Sequence, residues 1–129
     1  MGHAATRTIR VLIADDHRLF AEALSSILAG EADLEIVGVA SDGGAVVELA
    51  RKLRPDVVLM DVAMPVFDGV EAAQRLGKAR GRPAVIMLSG SNAPRDVARA
   101  REACAAAYVT KDAIAADLVG TIREAARPA

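Results

Sequence analysis

Cysteine is almost missing from this chain: Cys104 is the single one in 129 residues. No internal disulfide can form, a reducing compartment is expected, and Cys104 itself reads as a small buried apolar residue. Long apolar runs are missing too. Nothing approaches the roughly 20 residues needed to cross a bilayer, and no apolar block of a secretory signal opens the chain. The expectation is a soluble, cytoplasmic protein without a membrane partner. Met1-Gly2-His3-Ala4-Ala5-Thr6 satisfies the loose myristoylation pattern, but residues 1–8 read more simply as a flexible N-terminal segment. An excess of either charge is also lacking. Sixteen Lys and Arg stand against seventeen Asp and Glu, so there is no basic field to hold a nucleic-acid backbone. The local run Arg95, Arg99 and Arg101 reads as a solvated helix face.

What is present is apolar material in short, regular pieces. With 53% hydrophobic residues, a chain of this length buries enough surface to fold without staples. Ile9 to Ala14, Glu35 to Ala40, Asp56 to Met60 and Ala84 to Leu88 are short runs rich in β-branched residues and bounded by polar residues, Gly or Pro, and they read as buried strands. Ala107 to Val109 is a weaker fifth. Between them, Leu19, Phe20, Ala23, Leu24, Ile27 and Leu28 fall on one helical face, and Val46, Val47, Leu49, Ala50 and Leu53 on another. Val70 to Ala79, Pro94 to Ala103 and Ala113 to Ala126 supply three more helices, with Asn92 and Asp112 as candidate caps. Alternating strands and helices predict an α/β fold. Its core is a doubly wound, five-stranded parallel sheet with helices on both faces, the flavodoxin-like arrangement. One domain over residues 9–127 is expected, with no output domain in this chain.

In such sheets the chemistry lies outside the carboxyl ends of the strands. Asp15 and Asp16 follow the first strand, Asp61 the third, Ser89 the fourth and Lys111 the fifth. Any one of these alone would pass as a turn residue or helix cap; five at one sheet edge point to a site. Three carboxylates crowded together repel unless a hard, oxygen-seeking cation joins them, which suits Mg²⁺. With only His17 nearby and no cysteine, zinc is a poor fit. An aspartate can act as nucleophile and form an acyl phosphate if the charge on the moving group is neutralised. Asp61 is the best-placed nucleophile, with metal, the Lys111 ammonium and the Ser89 hydroxyl arranged around the phosphoryl oxygens.

The segments VLIADDH, VVLMDVAMP, VIMLSG and AYVTKD resemble the signature segments of response-regulator receiver domains. Ser89 lies 28 residues after Asp61 and Lys111 lies 50 after it, intervals similar to those in receivers of NarL/FixJ-type two-component transcription regulators. The resemblance implies that Asp61 is the phosphoacceptor, that Asp15 and Asp16 are the metal-side acids, and that Lys111 and Ser89 contact the phosphoryl group. It implies the backbone carbonyl of Ala63 as a further metal ligand, and Ser89 with Tyr108 as the switch pair. The implied partner is a sensor histidine kinase. Phosphorylation is expected to alter the helix 4, strand 5 and helix 5 face, with a homodimer as one outcome and DNA reached only through a domain not present in this chain. The chain is not expected to be a conventional turnover enzyme.

Some positions depart from the family pattern. Ala63 stands where a polar residue is common, so its side chain cannot orient a water. Asp112 stands where many receivers carry proline, so a cis peptide is not dictated there. Cys104 and Ala107 replace glycines on the approach to the last strand. His17, directly after the acid pair, could act as a metal ligand or proton donor but reads more simply as a solvent-facing residue at a helix start, and Met60, Met64 and Met87 read as packing. A flavin binder of the same architecture would need glycine and hydroxyl residues after the first strand, where this chain has Asp15-Asp16. A phosphatase using an aspartyl nucleophile would need an acid at position 63, occupied here by Ala63. The remaining alternative is a pseudo-receiver working as an interaction module without phosphorylation.

Overall fold

The computed structural model describes residues 8–62, 69–76, 83–90, 94–102 and 106–126. Strand β1 (Ile9–Ala14) leads to helix α1 (Arg18–Ala29), β2 (Leu34–Ala40) to α2 (Gly43–Leu53), and β3 (Val57–Asp61) to α3 (Gly69–Leu76). Then come β4 (Ala84–Ser89), α4 (Pro94–Glu102), β5 (Ala107–Thr110), a 3₁₀ turn (Lys111–Ala113) and α5 (Ile114–Ala125). All four strand pairings are parallel, in the order β2-β1-β3-β4-β5. The chain therefore winds outward from β1 to β2 and returns to β3 on β1's other side. The carboxyl ends of β1 and β3 flank the point where the winding reverses, which is where an open parallel sheet leaves a crevice.

The two-residue period of the strands sorts the core into two layers. Leu12, Ala14, Val58, Met60, Val85 and Met87 pack toward α2 and α3, against Val46, Ala50, Ala72 and Leu76. Val11, Ile13, Val57, Leu59, Ile86 and Leu88 face the other way, against Leu24 and Leu28 of α1 and Leu118 and Ile122 of α5. Strands buried on both faces explain why these runs carry no polar alternation. Met60 and Met87 are core residues with no exposed surface.

Edge strand β2 holds one extra residue. Val11 pairs with Ile36 but Leu12 pairs with Gly38, so Val37 bulges between them. Gly38 lies where α2 comes close: a Cβ there would stand 3.0 Å from Leu53 Cδ1 and 3.3 Å from Leu12 Cδ1.

Three expectations change. The α1 stripe is rotated: Ala21, Leu24 and Leu28 are buried and Phe20 partly so, whereas Leu19 is 81% and Ile27 42% exposed. Only one flank of α1 faces the sheet, and its spacing of three and four residues runs from Ala21. The strands also reach further than their apolar runs. Asp61 pairs with Leu88 and Ser89 with Thr110, so two polar residues belong to the sheet and not to the loops after it. Third, Asp112 does not cap α5. It lies inside the 3₁₀ turn, where its Oδ1 accepts a hydrogen bond from Thr110 Oγ1 at 2.5 Å, and the residue at the cap position is Ala113. No cis peptide occurs among the described residues. Asn92, Cys104, Met64 and the expected extension of α3 to Ala79 and α4 to Ala103 lie outside the described residues.

Helix α2 shows its signals plainly. Asp42 accepts a hydrogen bond from the Ala45 amide at 2.8 Å, filling an otherwise orphan donor. At the other end Arg54 adopts the left-handed conformation, φ 49 and ψ 61, immediately before Pro55. A side chain at such a φ is strained where glycine is not. Arg54→Gly should therefore stabilise the fold by about 0.5–1 kcal/mol, read as a higher urea midpoint; an unchanged or lower midpoint would contradict it.

Helix α5 is tied to the α1–β2 turn from outside. Arg123 donates to Asp33 through Nε and Nη2, both at 2.8 Å, and to Glu31 through Nη2 at 2.8 Å. The Arg123 hydrogen bond holds the Asp33 carboxyl below its ordinary value of 3.8. A carboxyl lowered in the folded state contributes stability above its unfolded value and loses that contribution as pH falls through its folded one. Arg123→Gln should accordingly be less stable than wild type at neutral pH, and the gap in urea midpoints should close as pH is lowered past 3.8.

Candidate functional site

The site begins at the end of β1. Asp15 is hydrogen-bonded through its amide to the Ala40 carbonyl at 3.0 Å, which holds the backbone to the sheet while the side chain turns inward with no exposed surface. Its Oδ1 accepts the His17 amide at 2.8 Å, and its Oδ2 accepts from Lys111 Nζ at 3.1 Å. Ninety-six residues separate these last two partners, and the parallel sheet brings them to one edge.

Asp61, on adjacent β3, is buried as well, at 5% exposure. Its Oδ2 stands 3.7 Å from Lys111 Nζ. One ammonium therefore faces two buried carboxylates, and it rests 4.2 Å from the centroid of the Phe20 ring, where the ring face adds a further attraction for a cation. Asp16 is more open, with about a third of its side chain exposed. Ligand-capable atoms of Asp15, Asp16, His17 and Asp61 all lie within 4.8 Å of one another.

Ser89 ends β4 and is buried at 5% exposure, one residue past the position that pairs with Asp61. Tyr108 pairs with Met87 in edge strand β5 and packs half-buried against the α2–α3 layer. It lies three residues before Lys111. Ala63 lies outside the described residues. Four of the expected groups, Asp15, Asp16, Asp61 and Lys111, thus meet at one edge of the sheet, with Ser89 on the neighbouring strand end.

Two neighbours stand closer to the site than the sequence suggests, His17 because its solvent-facing reading outweighs that of a ligand there, and Phe20 because it reads only as core. His17 is the N-cap of α1, and although its ring is 69% exposed, Nδ1 is 3.2 Å from Asp15, 3.4 Å from Asp16 and 3.9 Å from Asp61. Its position directly after the acid pair was the available signal. Phe20, counted only as a core residue, underlies Lys111; nothing local marks a contact between residues so far apart in the chain.

Three carboxylates against one ammonium leave two negative charges, with Asp15 and Asp61 buried. That is the charge of one divalent cation, and the donors are hard oxygens of the kind Mg²⁺ prefers. The residues present fit such an ion.

Among the described residues no helix is long and apolar enough to cross a membrane. Over 119 residues the chain is 38% identical to the transcriptional regulatory protein LiaR of Bacillus subtilis, covering 92% of this chain and 56% of that one. It is 35% identical over 120 residues to the response regulator protein VraR of Staphylococcus aureus, covering 93% and 57%. The chain spans little more than half the length of these curated relatives. The response regulator domain of Thermotoga maritima CheB superposes with a TM-score of 0.87 at 32% identity, covering 95% of this chain and 99% of that one. The signal receiver domain of NarL from Mycobacterium tuberculosis gives 0.87 at 32%, covering 93% and 97%. Residues 11–123 match the response regulator receiver domain, and with these identities over nine-tenths of its length the chain belongs to that family.

Proposed function

We propose that this chain is a phosphorylation-controlled signalling receiver that takes a phosphoryl group from a sensor histidine kinase on Asp61. The observation that carries this reading is the pairing of a buried Asp61 with Lys111 at 3.7 Å beside the Asp15–Asp16 pair. A carboxylate oxygen of Asp61 attacks phosphorus, the phosphorus–nitrogen bond of the phosphohistidine breaks, and its electron pair leaves with the imidazole. A carboxylate nucleophile has no proton to give up, so no general base is needed. Lys111 and the Ser89 hydroxyl stabilise the phosphoryl oxygens by charge and hydrogen bonding. Asp15, Asp16, Asp61 and the Ala63 carbonyl are the groups that would hold Mg²⁺, which when bound offsets charge on the transferred group.

Phosphorylation then draws Lys111 and Ser89 toward the new anion and releases part of the Lys111 hold on Asp15. Tyr108 lies on edge strand β5, three residues before Lys111 in the 3₁₀ turn that follows, so the face formed by α4, β5 and α5 is the natural output surface, serving a homodimer or another domain. That the relatives LiaR and VraR are named as a transcriptional regulatory protein and a response regulator supports transcription control through a DNA-binding domain outside this sequence. Residues 9–127 would form the receiver, acting in the cytoplasm as an acceptor and not as a turnover enzyme.

Incubation with acetyl phosphate and Mg²⁺ should add one phosphoryl unit to the intact mass of the wild type and none to Asp61→Asn. Chelating the metal should abolish the addition. An equal addition to Asp61→Asn, or none to the wild type, would refute the reading and leave a phosphorylation-independent interaction module. Lys111→Ala should keep the fold by circular dichroism and slow phosphorylation by roughly 10²-fold or more, since it removes a positioned charge from the transition state; an undiminished rate would exclude that role.

A further inference from the structure

We propose that His17 is a selectivity residue of the metal centre, adding an imidazole nitrogen to an otherwise all-oxygen site and tilting its preference from Mg²⁺ toward borderline divalent ions such as Mn²⁺ and Co²⁺. The inference rests on the reading of the acidic cluster as a metal centre.

In an octahedral ion with bonds of about 2.1 Å, neighbouring donors stand roughly 3.0 Å apart and opposite donors roughly 4.2 Å. His17 Nδ1 is 3.2 Å from Asp15 Oδ1 and 3.4 Å from Asp16 Oδ1, near the spacing of neighbours, and 3.9 Å from Asp61 Oδ2, near that of an opposite pair. The imidazole thus stands among the carboxylates at ligand spacing. Two constraints keep it there. The His17 amide donates to Asp15 Oδ1 at 2.8 Å, and His17 is the residue on which α1 begins, so its backbone is anchored at both the sheet and the helix.

The chemistry follows from the nitrogen. With its hydrogen on Nε2, the ring presents an Nδ1 lone pair to the ion. Mg²⁺ gains little from exchanging a water for imidazole, whereas Mn²⁺ and, more strongly, Co²⁺ gain affinity from a nitrogen donor. The competing role for His17 is that of a hydrogen-bonding or ion-pairing partner of the acids in place of a metal, Nδ1 lying 3.2 Å from Asp15 Oδ1. The two roles differ in sign: a ligand strengthens metal binding, and such a partner opposes it.

Calorimetric titration of the full chain with MgCl₂ and with CoCl₂ separates them, comparing wild type, His17→Gln, His17→Ala and, as a control for the only other histidine, His3→Ala. The expected result is that both His17 variants lose about 10-fold or more in Co²⁺ affinity while Mg²⁺ affinity changes by less than about twofold, and that His3→Ala behaves as wild type. Equal losses for both ions, no loss for Co²⁺, tighter binding in the His17 variants, or a Co²⁺ loss that follows His3 would each overturn the proposal. Wild type binding Mg²⁺ with any of these outcomes sinks the role of His17 alone; wild type binding neither ion sinks the metal-centre reading with it.

Discussion

Two carboxylates buried side by side at the ends of neighbouring parallel strands are the constraint around which this molecule is arranged. Asp15 and Asp61 have almost no access to water, and burying like charges without compensation is among the costlier things a protein can do. Lys111 meets both. Its stem emerges directly after β5, so the fifth strand must pair with the fourth for the ammonium to arrive. Phe20, from the first turns of α1, lies beneath the same ammonium. The acids at the strand ends, the closing lysine and the first helix are therefore parts of one electrostatic arrangement.

Sheet order makes that arrangement possible. Because β1 lies between β2 and β3, its carboxyl end faces a crevice and not a crossover helix. Strand backbones hold the functional groups: Asp61 and Ser89 are the last residues of β3 and β4, still in register with their neighbours. A site built on ladder positions is positioned more rigidly than one built on loops. In the proposed function, a divalent ion and then a phosphoryl group at these acids would act on Lys111 directly. Lys111 itself opens the 3₁₀ turn between β5 and α5.

Much of this was legible beforehand, for identifiable reasons. Strands buried on both faces carry near-continuous apolar runs, so β1, β3 and β4 stood out, and a polar residue closing each run marked the site. Ends were less visible. Asp61 and Ser89 looked like loop residues because polarity, not hydrogen bonding, terminates an apolar run. The α1 stripe was misplaced because its hydrophobic residues outnumber the positions that face the sheet, leaving Leu19 and Ile27 in the open. Asp112 had the composition of a helix cap, but the 3₁₀ turn gave its carboxylate Thr110 as a partner.

The amino-acid sequence by itself determined the order of elements, the parallel α/β class and the five polar groups at the strand ends, because each depends on local pattern and on the handedness of βα units. Tertiary structure alone decided which of those groups touch. Lys111 reaches Asp15 across 96 residues, Phe20 comes to lie under that lysine, and His17 turns Nδ1 toward three carboxylates even as its ring stays mostly in solvent. Distances of that kind follow from strand order and helix rotation, which are properties of the packed whole.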